Sequence, residues 1–205
     1  DLDNSVNLCS GLALNSRLDE FSIIGFNVCL SEEDCTALGR LLQSSTTLKD
    51  LRLLCVGNIN HQEILDGVSN SKSLETVAYS FRNTDEQTAI TDEQTSQCVN
   101  SLSQIKTLRN VRIMSDGRQF GDMTSEAIEN LLSKTALRQL SLRNTCEVDN
   151  KGKINAESVF RGLRKNHSLE VLCFDNVLSG DCIFSRLFGV LSNCPSLKFL
   201  VFQES

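Results

Sequence analysis

The sequence predicts a single elongated α/β domain over residues 1–205, an α/β solenoid with about seven parallel strands on the concave face and helices on the convex face. Three observations predict it. The phrase L-x-x-L-x-L, which reads as a short strand, follows an apolar helix tail in VFRGLRKNHSLEVLCF at 159–174, where Val159 and Leu163 share one helical face and Leu169, Leu172 and Phe174 supply the strand. The same phrase recurs with its first apolar residue at Leu18, Leu48, Leu74, Leu108, Leu137 and Leu197, at intervals of 30, 26, 34, 29, 32 and 28 once Leu169 is included. Strand alternating with helix at a nearly fixed period implies parallel strands joined by crossover helices. A unit of about 30 residues cannot bury its apolar face alone, so neighbouring units must stack.

Taken in order, residues 4–14 read as a first helix with no strand before it, and Leu18, Phe21 and Ile23 as strand one. Ser31 followed by Asp34 resembles a capping box and opens a helix with Cys35, Leu38, Leu41 and Leu42 inward. Strand two spans Leu48 to Leu53, a short helix carries Ile64 and Val68, and strand three holds Leu74, Val77 and Tyr79. The longest interval follows because TDEQT occurs twice, at 84–88 and 91–95. The first copy reads as a solvated loop; Thr91 and Gln94 of the second cap a helix burying Cys98, Val99, Leu102 and Ile105. Strand four (Leu108, Val111, Ile113), a helix with Ile128, Leu131 and Leu132, and strand five (Leu137, Leu140, Leu142) come next. A helix ending near Lys165, strand six, a helix with Ile183, Phe184, Leu187 and Leu191, and strand seven complete the series.

Composition narrows the class. No apolar run approaches the roughly 18 residues of a membrane span, and a net charge of −6 argues against nucleic acid as a partner. The nine cysteines are odd in number, scattered and never spaced C-x-x-C, and Cys98 stands where Leu or Ile stands in other copies. They read as small core hydrophobes in a reducing, cytoplasmic compartment. The chain begins without Met inside a helix tail and stops just after a strand, so a piece of a longer polypeptide is expected.

The phrase L-x-x-L-x-L with a long amphipathic helix per copy resembles leucine-rich repeats of the ribonuclease-inhibitor type, across nearly the whole chain. LSEEDCTALGRLLQSSTTLKDLRL at 30–53 is similar to the repeat regions of nucleotide-binding leucine-rich-repeat receptors. The resemblance implies a protein-interaction scaffold that uses its concave face, in the sensing or autoinhibitory domain of an intracellular immune receptor. The alternatives are a regulator of an enzyme, such as a GTPase-activating scaffold with Arg82 projecting from a turn, or a structural component of a large assembly. The chain departs from the family where Asn or Cys is usual in the turn after the strand. Phe26, Val56, Arg82, Asp116, Thr145, Val177 and Ser205 stand there, with Asn27, Asn58, Asn83, Asn144 and Asn176 nearby.

Chemical motifs are sparse, so no enzyme activity, cofactor or metal is expected. His61 and His167 lie in different units without ligands at metal spacing. EVDNKGKINAES at 147–158 is similar to a calcium loop in Glu147, Asp149, Gly152 and Ile154, but Lys151 and Ser158 occupy ligand positions, and it reads as a turn at Gly152. Asn166-His167-Ser168 matches a glycosylation acceptor, which would matter only in a secreted protein.

The expected binding surface is the middle of the concave face. Lys49, Arg52, Arg109, Arg112, Arg138 and Arg143 form a basic cluster beside the outward apolar residues Ile24, Leu54 and Met114, a composition suited to a protein partner that is acidic at the contact. At the other end, Phe199 and Val201 beside Val171 and Cys173 predict an apolar edge covered by the remainder of the chain or another subunit.

Overall fold

The computed structural model describes residues 17–28, 30–56, 62–81, 91–115, 120–134, 136–144, 153–179 and 183–203. The expected helix at 4–14, the first TDEQT copy, His61, Arg82 and the 147–152 stretch lie outside these residues. Nine strands are described: β1 (Glu20–Val28), β2 (Asp50–Val56), β3 (Thr76–Phe81), β4 (Asn110–Ser115), β5 (Gln139–Asn144), β6 (Ile154–Asn155), β7 (Val171–Asp175), β8 (Leu178–Ser179) and β9 (Phe199–Gln203). Six helices accompany them: α1 (Glu32–Ser44), α2 (Gln62–Ser69), α3 (Asp92–Leu102), α4 (Asp122–Lys134), α5 (Ala156–Leu163) and α6 (Ile183–Leu191).

The fold is α/β, with seven parallel strands in the order β1-β2-β3-β4-β5-β7-β9. Because the order is strictly sequential and each helix packs on the next, right-handed crossovers place the helices in one layer on one face of the sheet. Among the described residues the other face is left open. The two-residue strands β6 and β8 pair in a second small parallel sheet, which the sequence pattern did not reveal.

The register explains the spacing L-x-x-L-x-L. At each strand entry two successive N–H groups share one carbonyl of the preceding strand's entry: Lys49 and Asp50 on Asp19, Glu75 and Thr76 on Lys49, Arg109 and Asn110 on Glu75, and so on to Lys198 and Phe199 on Glu170. The shared carbonyl absorbs one extra residue, as at a bulge, so the first apolar residue lies three positions before the next inward one, and strict alternation starts only after it. Strand two therefore begins at Asp50 rather than Leu48.

Two inward rows run across the sheet. One is Phe21, Leu51, Val77, Val111, Leu140, Leu172 and Leu200; the other is Ile23, Leu53, Tyr79, Ile113, Leu142, Phe174 and Phe202. In the interior of the sheet both rows are completely buried against the helices. At the last strand, Leu200 occupies the same row yet is 37% exposed, because no further strand–helix unit lies against it among the described residues.

Helix packing is close because of glycine. A Cβ on Gly39 of α1 would collide with the Glu63 carbonyl, and one on Gly67 of α2 with the Gly39 carbonyl, so the two helices meet backbone to backbone. The helix starts follow the sequence expectation. Ser31 Oγ accepts from the Asp34 N–H at 3.1 Å, and Thr91 with Gln94 forms a full capping box on α3. Asp92, beside that cap, also caps the neighbouring helix: its carboxylate accepts from the N–H groups of Met123 and Thr124 at 3.0 Å each and from the Thr124 hydroxyl at 2.6 Å.

Candidate protein-interaction face

The open face carries three outward rows, one residue out of step with the core rows. From β1 to β4 they read Glu20-Asp50-Thr76-Asn110, Ser22-Arg52-Ala78-Arg112 and Ile24-Leu54-Ser80-Met114. Farther along, Ser141 and Cys173 extend the second row, and Arg143 and Asp175 the third. Arg109 and Arg138 are neighbours at the strand entries, where the Arg138 N–H bonds the Arg109 carbonyl at 2.7 Å. The eight residues singled out from the sequence, Ile24, Arg52, Leu54, Arg109, Arg112, Met114, Arg138 and Arg143, thus lie on β1, β2, β4 and β5 or their entries, on either side of β3. Ile24 is 67% exposed, whereas Leu54 and Met114 are half-buried on either side of Ser80.

The cations do not form a bare basic patch. Arg52 makes a two-pronged contact with Asp50, both bonds at 3.0 Å, and reaches Glu20 at 3.2 Å. The Asp50 hydrogen bond, with help from both carboxylate charges, raises the Arg52 pKa further above its ordinary value. Arg143 pairs with Asp175 at 2.9 Å, and Arg138 lies 3.9 Å from Glu170. Lys198 bonds Glu170 at 2.7 Å, and this bond is the main reason the Glu170 carboxyl sits below its usual range. Lys49 is 4.0 Å from Glu75, and Arg109 donates to the Ala136 carbonyl at 3.2 Å. Arg112 differs from all of them. It is exposed and has no ion pair or hydrogen bond with any described residue.

This charge pairing shows only once the cross-strand register is fixed. The residue after each strand's first apolar position reads Lys49, Glu75, Arg109, Arg138, Glu170, Lys198 along the sheet, so opposite signs fall side by side everywhere except at Arg109 and Arg138. The residue before it is a hydroxyl in most copies. Thr47, Ser73, Thr107, Ser168 and Ser196 donate to the carbonyls of Leu18, Ser45, Leu74, Leu137 and His167 at 2.6–3.1 Å, a ladder that ties each unit to the one before.

Asn166 belongs to this scaffold rather than to a modification site. It is 2% exposed; its Nδ2 donates to the Leu132 carbonyl at 2.9 Å and its Oδ1 accepts from the N–H groups of Ser168 and Leu169 at 3.0 and 2.9 Å. The nitrogen a glycan would need is committed to the backbone of the preceding unit. Asn144 and Asn176 are buried at strand ends, Asn176 with a left-handed backbone (φ 52°) and its N–H on the Gln203 carbonyl.

The described cysteines behave as core. Cys35, Cys98 and Cys194 are buried thiols outside any disulfide, and Cys173 is half-buried. Burial pushes Cys98 up to about 12 and Cys35, with help from Asp34, up to about 11. Among the described residues no group of His, Cys, Asp or Glu is placed to hold a metal ion, and no helix is long and apolar enough to cross a membrane. At the far end, Phe188, Phe199 and Val201 are 67%, 63% and 48% exposed. No family model matches the chain, and no curated protein is significantly similar to it.

Proposed function

We propose that this chain is a protein-interaction scaffold of the leucine-rich-repeat type, a curved solenoid that binds a protein partner through the open face of its sheet. The observation that carries the reading is the contrast in that sheet: the helix-covered rows are apolar but for the hydroxyl of Tyr79, while the open rows mix apolar side chains with charge and include Arg112, unpaired among the described residues. Such a surface supplies a desolvated apolar patch within a polar rim, the composition of protein recognition sites. In this reading the chain has no catalytic role, needs no cofactor and does not bind nucleic acid, and the partner is acidic at the contact. It serves as the sensing or autoinhibitory region of an intracellular immune receptor. Support for the cytoplasm comes from the buried protonated thiols, which pack as hydrophobes. The exposed apolar edge at Phe188, Phe199 and Val201 is assigned to contact with another segment or subunit. The enzyme-regulator alternative leans on Arg82, which lies outside the described residues.

The test is an Arg112→Glu, Arg143→Glu double substitution, with circular dichroism showing the fold intact. Partners captured by the wild-type chain are expected to be lost by the variant, and the remaining binding to lose its salt dependence. Retention of the same partners at the same affinity would remove the open face from the proposal.

A further inference from the structure

Resting on that reading, we propose that the strip of the open face along β3 is a binding trough for an extended acidic segment of a partner protein, which places a carboxylate on Arg112 and an aliphatic side chain between Leu54 and Met114. The floor is built from small side chains. Thr76, Ala78 and Ser80 are the outward residues of β3, and Ala78 and Ser80 are only 7% and 8% exposed although none of the described helices covers this face. Larger neighbours overhang them. Arg52 and Arg112 stand in register on either side of Ala78, and Leu54 and Met114 on either side of Ser80. Since adjacent strands lie about 4.8 Å apart, the two walls are separated by about 9–10 Å, the width of one extended chain.

Charge selects the occupant. The Arg52 wall is neutralised by Asp50 and Glu20, whereas the Arg112 wall has no carboxylate among the described residues, so the trough offers one uncompensated cation at a fixed height along the strand. One row farther, two residues along the strand or about 6.6 Å, the walls become apolar. An extended peptide repeats its side chains on one face at the same interval, so a carboxylate and an aliphatic residue two positions apart meet Arg112 and the Leu54–Met114 gap together. A nucleic acid strand would also answer a lone arginine, but it has nothing aliphatic to set between Leu54 and Met114, and the chain's net charge of −6 repels it.

The experiment pans a phage-displayed library of linear ten-residue peptides on the full 205-residue chain and measures the enriched peptides by fluorescence anisotropy. Enriched peptides are expected to carry Asp or Glu two positions from Leu, Ile, Val or Met. Their affinity should fall about tenfold or more with Arg112→Ala, and similarly with Ala78→Leu, which fills the trough without changing charge. Arg161→Ala, which removes a cation bonded to Glu129 on the helix layer, should leave it unchanged. Circular dichroism and thermal unfolding establish that each variant is folded, and Thr76→Val serves as a milder change of the floor if Ala78→Leu is not. No enrichment, peptides without the carboxylate–aliphatic pair, equal affinity for Arg112→Ala, or tighter binding of a labelled single-stranded oligonucleotide at the same residues would each overturn the trough. Those failures would leave the scaffold reading standing if the Arg112→Glu, Arg143→Glu variant still lost its captured partners.

Discussion

Adjacent residues on the two faces of the sheet obey different rules. The inward row through Val111 contains only Phe, Leu and Val from β1 to β9; the outward row through Arg112, one residue away, runs Ser, Arg, Ala, Arg, Ser, Cys, Val. Inward positions are fixed by the helices that press on them, so any copy of the unit needs nearly the same side chain there. Outward positions have no such neighbour and are free to differ from strand to strand. The difference teaches that stability is written on alternate residues of the strands, which leaves the residues between them free to change with little effect on the core.

The largest effect should come from the inward rows. Leu140→Ala and Leu172→Ala remove completely buried side chains from the middle of the core and are expected to cost about 2–5 kcal/mol each by chemical denaturation. Ser141→Ala, the next residue after Leu140 and on the open face beside Cys173, should change stability by less than about 0.5 kcal/mol. Leu200→Ala sharpens the contrast, since the same row position is partly exposed on β9 and should lose clearly less than Leu140→Ala.

Next comes the link between units. Asn166→Ala leaves the Leu132 carbonyl and two backbone N–H groups without their buried partner, for an expected loss of about 1–3 kcal/mol. The partly exposed hydroxyl of Ser168 can be replaced by water, so Ser168→Ala should cost less.

Titration gives smaller effects, of opposite sign at the two ends of the pH scale. Cys98 and Cys35 have folded values raised from the ordinary 9.0 to about 12 and about 11, so the stability their neutral thiols contribute is complete below pH 9 and is lost as pH rises through those values. Unfolding midpoints should fall above pH 9, and a Cys98→Ala variant should fall less steeply; at pH 8 a thiol reagent should label the buried cysteines slowly until denaturant is added. Glu129 is held below its ordinary 4.5 chiefly by the hydrogen bond from Arg161, at 2.8 Å. Its contribution is present above pH 4.5 and lost as pH falls through the lowered value, so Glu129→Gln should flatten the acid limb slightly.

Most of the architecture was legible because it depends on inward residues that recur. Within the described residues the first apolar residues, the inward helix faces and the caps at Ser31 and Thr91 fall where the spacing puts them. The strand starts were misplaced by two residues because the shared-carbonyl entry is a backbone feature without its own side-chain signature. The face that holds the candidate site was legible, but its charge state was not. Which arginines are neutralised depends on cross-strand register, and the sequence gives Arg112 and Arg143 the same appearance although one stands alone and the other is bonded to Asp175. The apolar edge at Phe199 and Val201 was legible because outward apolar residues interrupt an otherwise polar row.

The separation of the two faces is tested most directly by equilibrium unfolding of two single variants at neighbouring positions, Ile113→Ala and Arg112→Ala. Ile113 is completely buried and Arg112 is exposed on the open face. The expected result is a loss of about 2–5 kcal/mol for Ile113→Ala and a change within about 0.5 kcal/mol for Arg112→Ala. Comparable losses from both would show that the open face is part of what holds the fold together, and would contradict its assignment as a surface left free for a partner.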